Sequence, residues 1–187
     1  MATLTWPEAT LALPSWLSPW MSKTKVPDRF IDDEAKMNFI ADLAIENVAH
    51  QGGPFAAAIF SQDQLIAPGV NQVMPLQLSI AHAEIMALTV AQRVRQQYHL
   101  HDCELVTSCE PCIQCFGAII WSGVNRVISG ATTTDAEQLG FDEGPKPNQW
   151  QQALIDRGIE VVESVQRQHC LQAFDRYRQV NGKIYNS

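Results

Sequence analysis

Apolar positions recur at helical spacing from Asp32 onward. Ala35, Phe39, Ile40, Leu43, Ala44 and Val48 share one face, with Asp28 or Asp32 available as a cap. The period then shortens. Phe55–Phe60 and Gln64–Val70 read as two strands joined across Ser61–Asp63, which predicts a hairpin. Next come a helix over about 81–95, a strand at Glu104–Ser108, a helix at Pro111–Ser122 and a strand at Arg126–Gly130. A helix near Gln149–Arg157, a strand at Glu160–Ser164 and a last helix near Gln168–Val180 complete the series. A hairpin followed by helix–strand alternation predicts an α/β sandwich whose later strands run parallel. Two stretches lack a period. Residues 1–27, with Trp6, Pro7, Pro14, Trp16, Pro19, Trp20 and Pro27, are expected to form an irregular arm. Exposed tryptophans are a liability, so the arm should pack on the domain of residues 28–187 or on a neighbouring subunit. Residues 132–148, with Gly140, Gly144, Pro145 and Pro147, read as a functional loop.

Charge narrows the partners. Twenty acidic residues against 13 basic ones give a net charge of -7, whereas a protein that grips nucleic acid needs a basic face. Arg157, Arg167, Arg176, Arg178 and Lys183 gather toward the C-terminus; they read as a solvated helix face, with a local basic patch as the alternative. No apolar run is long enough to span a bilayer, and residues 1–22 lack the basic start of a signal peptide, so a cytoplasmic location is expected. A small substrate of little charge fits best, without membrane or nucleic-acid partners.

The five cysteines change the picture. Cys109, Cys112 and Cys115 lie at i, i+3 and i+6, while Cys103 and Cys170 stand apart and read as small buried hydrophobes. Such clustering points to metal or redox chemistry in a reducing compartment. Cys112 and Cys115, on the first turn of a helix, point to one side and can grip one ion. Pro111 suits the first helical position, and the positive helix start favours the thiolate form that binds zinc. His82-Ala83-Glu84 opens the preceding helix. One His and two Cys leave a fourth tetrahedral position for water, the arrangement of a catalytic zinc site. Zinc lowers the pKa of bound water to roughly 7, and Glu84, itself not a ligand, would move the protons. Alone, either motif has bland readings: chance for His-x-Glu, a structural or redox pair for Cys-x-x-Cys. Together they form the zinc deaminase signature. Were Cys109 to join the other three ligands, the site would close into a structural zinc module that binds partners.

Beyond these motifs the chain resembles the cytidine deaminase superfamily from about Asp32 to the C-terminus, and within it is similar to the bacterial guanine deaminases. The residues that carry the likeness are Gly53-Pro54-Phe55, Gly69-Val70-Asn71, His82 to Leu88, Pro111 to Trp121, Gly140-Phe141-Asp142-Glu143 and Tyr185. The resemblance implies a three-layer α-β-α sandwich around a mixed five-stranded sheet. It implies one zinc per subunit held by His82, Cys112 and Cys115, with Glu84 as proton shuttle. By position, Asn71 and Ala83 would meet the purine, Phe55 would stack on it and Trp121 would wall the pocket. Turn formation is the alternative for Asn71, core packing for Phe55 and Trp121. Glu143 would be a second acid that reads the substrate and relays protons, with Asp142 as its rival and a solvated loop acid as the bland alternative. The family implies a homodimer whose C-terminal segment exchanges, so that Tyr185 reaches the partner's site; a frayed terminus is the other reading. The implied reaction is hydrolysis of guanine to xanthine and ammonia, in purine catabolism, by zinc-bound hydroxide. Aminotriazines, with a comparable edge, are candidate secondary substrates. The rival within the superfamily is a tRNA adenosine or cytosine/cytidine deaminase.

Overall fold

The computed structural model describes residues 10–185, so Trp6 and Pro7 lie outside the described residues. Five strands form one sheet: β1 (Ala56–Ser61), β2 (Gln64–Val70), β3 (Glu104–Cys109), β4 (Arg126–Ala131) and β5 (Glu160–Val162). Their order is β2-β1-β3-β4-β5. The predicted hairpin is present. Gln62 and Asp63 both take positive φ (49° and 65°), the conformation of a two-residue turn whose twist matches the strands. β1 pairs antiparallel with β2 and β3, and β3, β4 and β5 run parallel, as the later alternation predicted.

Helices cover both faces. On one lie α2 (Asp33–Ala49) and α8 (Arg167–Gln179), packed on Ala56, Ala58, Phe60, Val106 and Ile128. On the other lie α4 (Ala83–Arg95), α5 (Ile113–Ser122) and α7 (Trp150–Ile155), packed on Ala57, Ile59, Leu105 and Val127. Adjacent strand residues thus serve opposite cores. That explains why the strands are apolar without alternation: a sheet covered on both faces has no polar side. Asp32 caps α2 by accepting the Ala35 amide at 2.8 Å.

Three short helices were not anticipated. The arm contains α1 (Leu17–Thr24), because Pro19 falls in the first turn, where a missing N–H costs nothing. Its Leu17 is buried, Trp16 stacks on His50 at 4.6 Å and Trp20 leans on Phe39 at 5.8 Å, so the arm packs on its own chain. α3 spans Val73–Leu76. The stretch read as one loop begins with α6 (Thr133–Leu139), whose start is a reciprocal cap between Thr132 and Asp135.

At the N-terminal ends of the parallel strands, the buried Lys36 reaches Asp63 and Glu104, while Arg126 joins Asp33, Glu104 and Glu160. This ion network anchors one end of the sheet. Chemistry gathers at the other.

Candidate active site

Both motifs stand at helix starts facing that opposite end. His82 is the N-cap of α4 and Glu84 its second helical residue. Cys112 caps α5, which starts at Ile113, so Pro111 lies one residue outside the helix and not in its first position. Cys115 is then the third helical residue, one turn above Cys112. α4 is pressed close to the sheet: a Cβ on Gly69 would sit 2.3 Å from the Ala83 carbonyl oxygen. A glycine in β2 is what allows the helix carrying His82 to come so near.

The His82 Nδ1 lies 3.4 Å from the Cys112 Sγ and 3.7 Å from the Cys115 Sγ. Bond lengths of about 2.3 Å to sulfur and about 2.05 Å to nitrogen give a tetrahedral zinc an N···S edge of about 3.6 Å. The two distances bracket that value, so the three ligands fit zinc as they stand. Among the described residues no other set of three His, Cys, Asp or Glu side chains converges this way. Cys109 points elsewhere: its thiol is 3.6 Å from the Thr132 carbonyl oxygen, to which it donates. The closed four-ligand reading therefore fails; a zinc held by the three ligands would keep a position for water, and His82 and Cys112 line the pocket.

Charge in the pocket is strongly coupled. A hydrogen bond from Cys115 pulls Cys112 down to about 4 against the opposing effect of burial, and His82 adds to the drop. Burial and the Cys112 contact push Cys115 well above the usual thiol range. Burial pulls His82 down, yet the Cys112 thiolate with Glu84 and Glu143 outweighs it and raises the imidazole overall. Burial and then the Cys112 charge raise Glu84. Glu143 rises to about 8, first through burial, then through the charges of Cys112 and Glu84, with Lys146 opposing. Paired titrations pushed apart in one cleft mark acid–base machinery. A dication at the three ligands would displace the protons from Cys115 and His82 and balance this crowd of negative groups.

Phe55, Asn71, His82, Glu84, Cys112, Asp142, Glu143 and Tyr185 line one pocket, together with Cys109, Glu110 and Phe141. An adjoining opening of about 330 Å³ shares His82, Cys112, Asp142 and Glu143 and leads outward past Ser79, Gln114 and Gly144. Glu143 is buried, whereas Asp142 is exposed and accepts the Gly144 amide at 2.7 Å. Phe141 meets the Phe55 ring at 5.0 Å and the Tyr185 ring at 4.9 Å, which makes an aromatic wall. In the single chain Tyr185 lines this pocket. Its hydroxyl lies over Gly53, where a Cβ would come within 2.1 Å of it, and is buried without a hydrogen-bond partner. A buried hydroxyl in that state is a donor waiting for a ligand.

Trp121 is 84% exposed on the outer face of α5, away from the pocket, because it falls on the side of the helix opposite the buried Cys115 and Ile119. The Ala83 methyl is buried in the core between α4 and the sheet. Sequence reasoning also missed Asn47. This fully buried residue of α2 donates to the Gly53 carbonyl at 2.8 Å and the Asn71 carbonyl at 2.9 Å, which fixes two pocket segments together. The available signal was an amide on the apolar face of a helix, continuing Ile40, Leu43 and Ala44.

Residues 31–131 match the family described as the cytidine and deoxycytidylate deaminase zinc-binding region. The chain belongs to that family. Among characterised relatives of this deaminase, the guanine deaminase of Bacillus subtilis is 46% identical over 102 residues, 54% of this chain and 65% of the relative's length. Among solved structures, a guanine deaminase from Nitrosomonas europaea is 40% identical with a TM-score of 0.85, covering 92% of this chain and 97% of that one. The structure of NE0047 in complex with 2,6-diaminopurine is 42% identical with a TM-score of 0.84, covering 95% and 96%. The fold is thus that of the zinc-binding deaminase family, and His82, Cys112 and Cys115 stand where they could hold its metal.

Proposed function

We propose that this deaminase converts guanine and water to xanthine and ammonia, a step of purine catabolism. The observation that carries the reading is a three-ligand metal site whose remaining corner opens beside two buried carboxylates, Glu84 and Glu143, under an aromatic wall. The likeness to guanine deaminases and to a diaminopurine complex supports a planar purine as the occupant. Phe55 and Phe141 hold the base by stacking, and Asn71 and the Tyr185 hydroxyl hydrogen-bond its edge. When bound, zinc makes water a nucleophile at neutral pH. Glu84 accepts a proton from the attacking water as its oxygen adds to C2, and delivers it to the adjacent ring nitrogen. Glu143 contacts the exocyclic amino group and relays to it the proton that the new C2 hydroxyl gives up. The C2–N bond then breaks, ammonia departs and the carbonyl of xanthine forms. A pocket with fixed hydrogen-bond partners discriminates by leaving buried groups unpaired on the wrong base.

Ammonia release from guanine, cytosine, cytidine, adenine and an aminotriazine, measured side by side on zinc-loaded protein, tests the assignment. The expected kcat/KM for guanine exceeds each other base by at least about 100-fold. Turnover of cytidine in preference to guanine would overturn the substrate reading and spare the zinc chemistry.

The reading extends to assembly and location. The exposed Trp121 (84%) on α5, beside Ile85, Leu88 and Ala118, offers an apolar surface that suits a second copy of the chain. Trp121→Glu should convert a dimer in sedimentation into a monomer; an unchanged molecular mass would remove this interface. All five cysteines are free, which suits a reducing compartment such as the cytoplasm.

A further inference from the structure

We infer that Lys146 is a positioning residue that holds Glu143 in register with the Cys112 turn; the inference rests on the role given to Glu143 above. Lys146 lines neither the pocket nor its opening, yet its side chain is only 6% exposed. Its ammonium donates to the Pro111 carbonyl at 2.8 Å and to the Thr133 Oγ1 at 2.7 Å. It also lies 3.7 Å from the Glu110 carboxylate and 4.6 Å above the Trp150 ring. Three separate segments thus surround one cation. A buried ammonium is costly unless every contact is used, and here the contacts converge on the loop that carries Glu143.

The geometry is a clasp with two points. The Ile113 amide donates to the Glu143 carbonyl at 3.0 Å, and three residues beyond Glu143 the Lys146 ammonium grips the Pro111 carbonyl. Pro111 and Ile113 flank Cys112. The metal-binding turn and the acid-bearing loop are therefore fastened to each other on both sides of the metal ligand. Glu110 steadies the arrangement from behind, accepting the Thr133 amide at 3.0 Å and its hydroxyl at 2.8 Å. One clasp point is backbone and cannot be removed by substitution. Lys146 is the other.

A double-mutant cycle separates positioning from general support, because residues that act through one another give non-additive losses. It compares zinc-loaded wild type, Lys146→Met, Glu143→Gln and the double variant, on whichever base the wild type turns over. Lys146→Met is expected to lower kcat by about 30-fold, to change KM by less than about threefold and to keep its zinc. In the Glu143→Gln background the same change should cost less than about threefold further. Losses that multiply, a KM that rises as far as kcat falls, or an undiminished kcat in Lys146→Met would each overturn the proposal. Should Lys146→Met not fold, Thr133→Val removes one acceptor of the ammonium together with the hydroxyl's bond to Glu110 and is read in the same cycle, with an expected loss of about fivefold. A wild type that prefers another base overturns the guanine reading and leaves this test intact; a fully active Glu143→Gln overturns the role of Glu143 and the clasp together.

Discussion

Glu84→Gln should leave one zinc per chain and lower kcat for ammonia release on the order of 1,000-fold. The carboxylate is 6% exposed and stands one residue beyond Ala83 from the ligand His82 without belonging to the ligand set. Glutamine keeps its volume and its place on the first turn of α4, so packing and metal binding survive. What disappears is the ability to accept a proton from water and pass it on. Burial and then the charge of Cys112 push the Glu84 carboxyl up from its ordinary value, the direction that favours proton uptake. Steady-state kinetics with metal analysis on the same preparation decide the matter. Turnover within about tenfold of wild type would show that another group moves the protons.

Stripping the metal should abolish turnover and lower the melting temperature by roughly 10 °C, with both restored by added zinc. The size follows from linkage. At a zinc concentration about 1,000 times Kd, binding stabilises the folded chain by about 4 kcal/mol, worth about 2–4 °C per kcal/mol at this length. Cys112→Ser should reproduce the loss and not respond to zinc, since Cys112 is the thiol that surroundings hold as thiolate, at about 4. Cys109→Ala, whose thiol donates to Thr132, should still bind one zinc. Loss of zinc from Cys109→Ala, or an unchanged melting curve after chelation, would contradict the ligand assignment.

Local pattern carried much of the architecture. β2 begins and ends where the apolar run predicted, and the Asp32 cap is used. Failures cluster where short-range signals conflict. The four prolines of the arm masked α1, although Trp16, Leu17, Trp20 and Met21 already have helical spacing. α6 is too short to show an apolar stripe, and its cap uses Asp135 where glutamate would be the familiar partner. Pro111 was read into α5 because proline is favoured at a helix start; the Pro111 carbonyl is instead spent on Lys146.

His82, Glu84, Cys112 and Cys115 were legible from sequence because each motif closes within one helical turn, where spacing alone determines which side chains share a side. Their meeting with one another, and with the rest of the pocket, was a matter of packing. Only the folded chain decided that Cys109 turns aside, that Glu143 is buried in the pocket while Asp142 stays exposed at it, and that Trp121 faces outward. It alone brought Phe55 and Tyr185 onto Phe141 and set Asn47 and Lys146 behind the site. Those contacts join residues far apart in the chain, and backbone direction at each loop, which no periodicity records, determines where such side chains point.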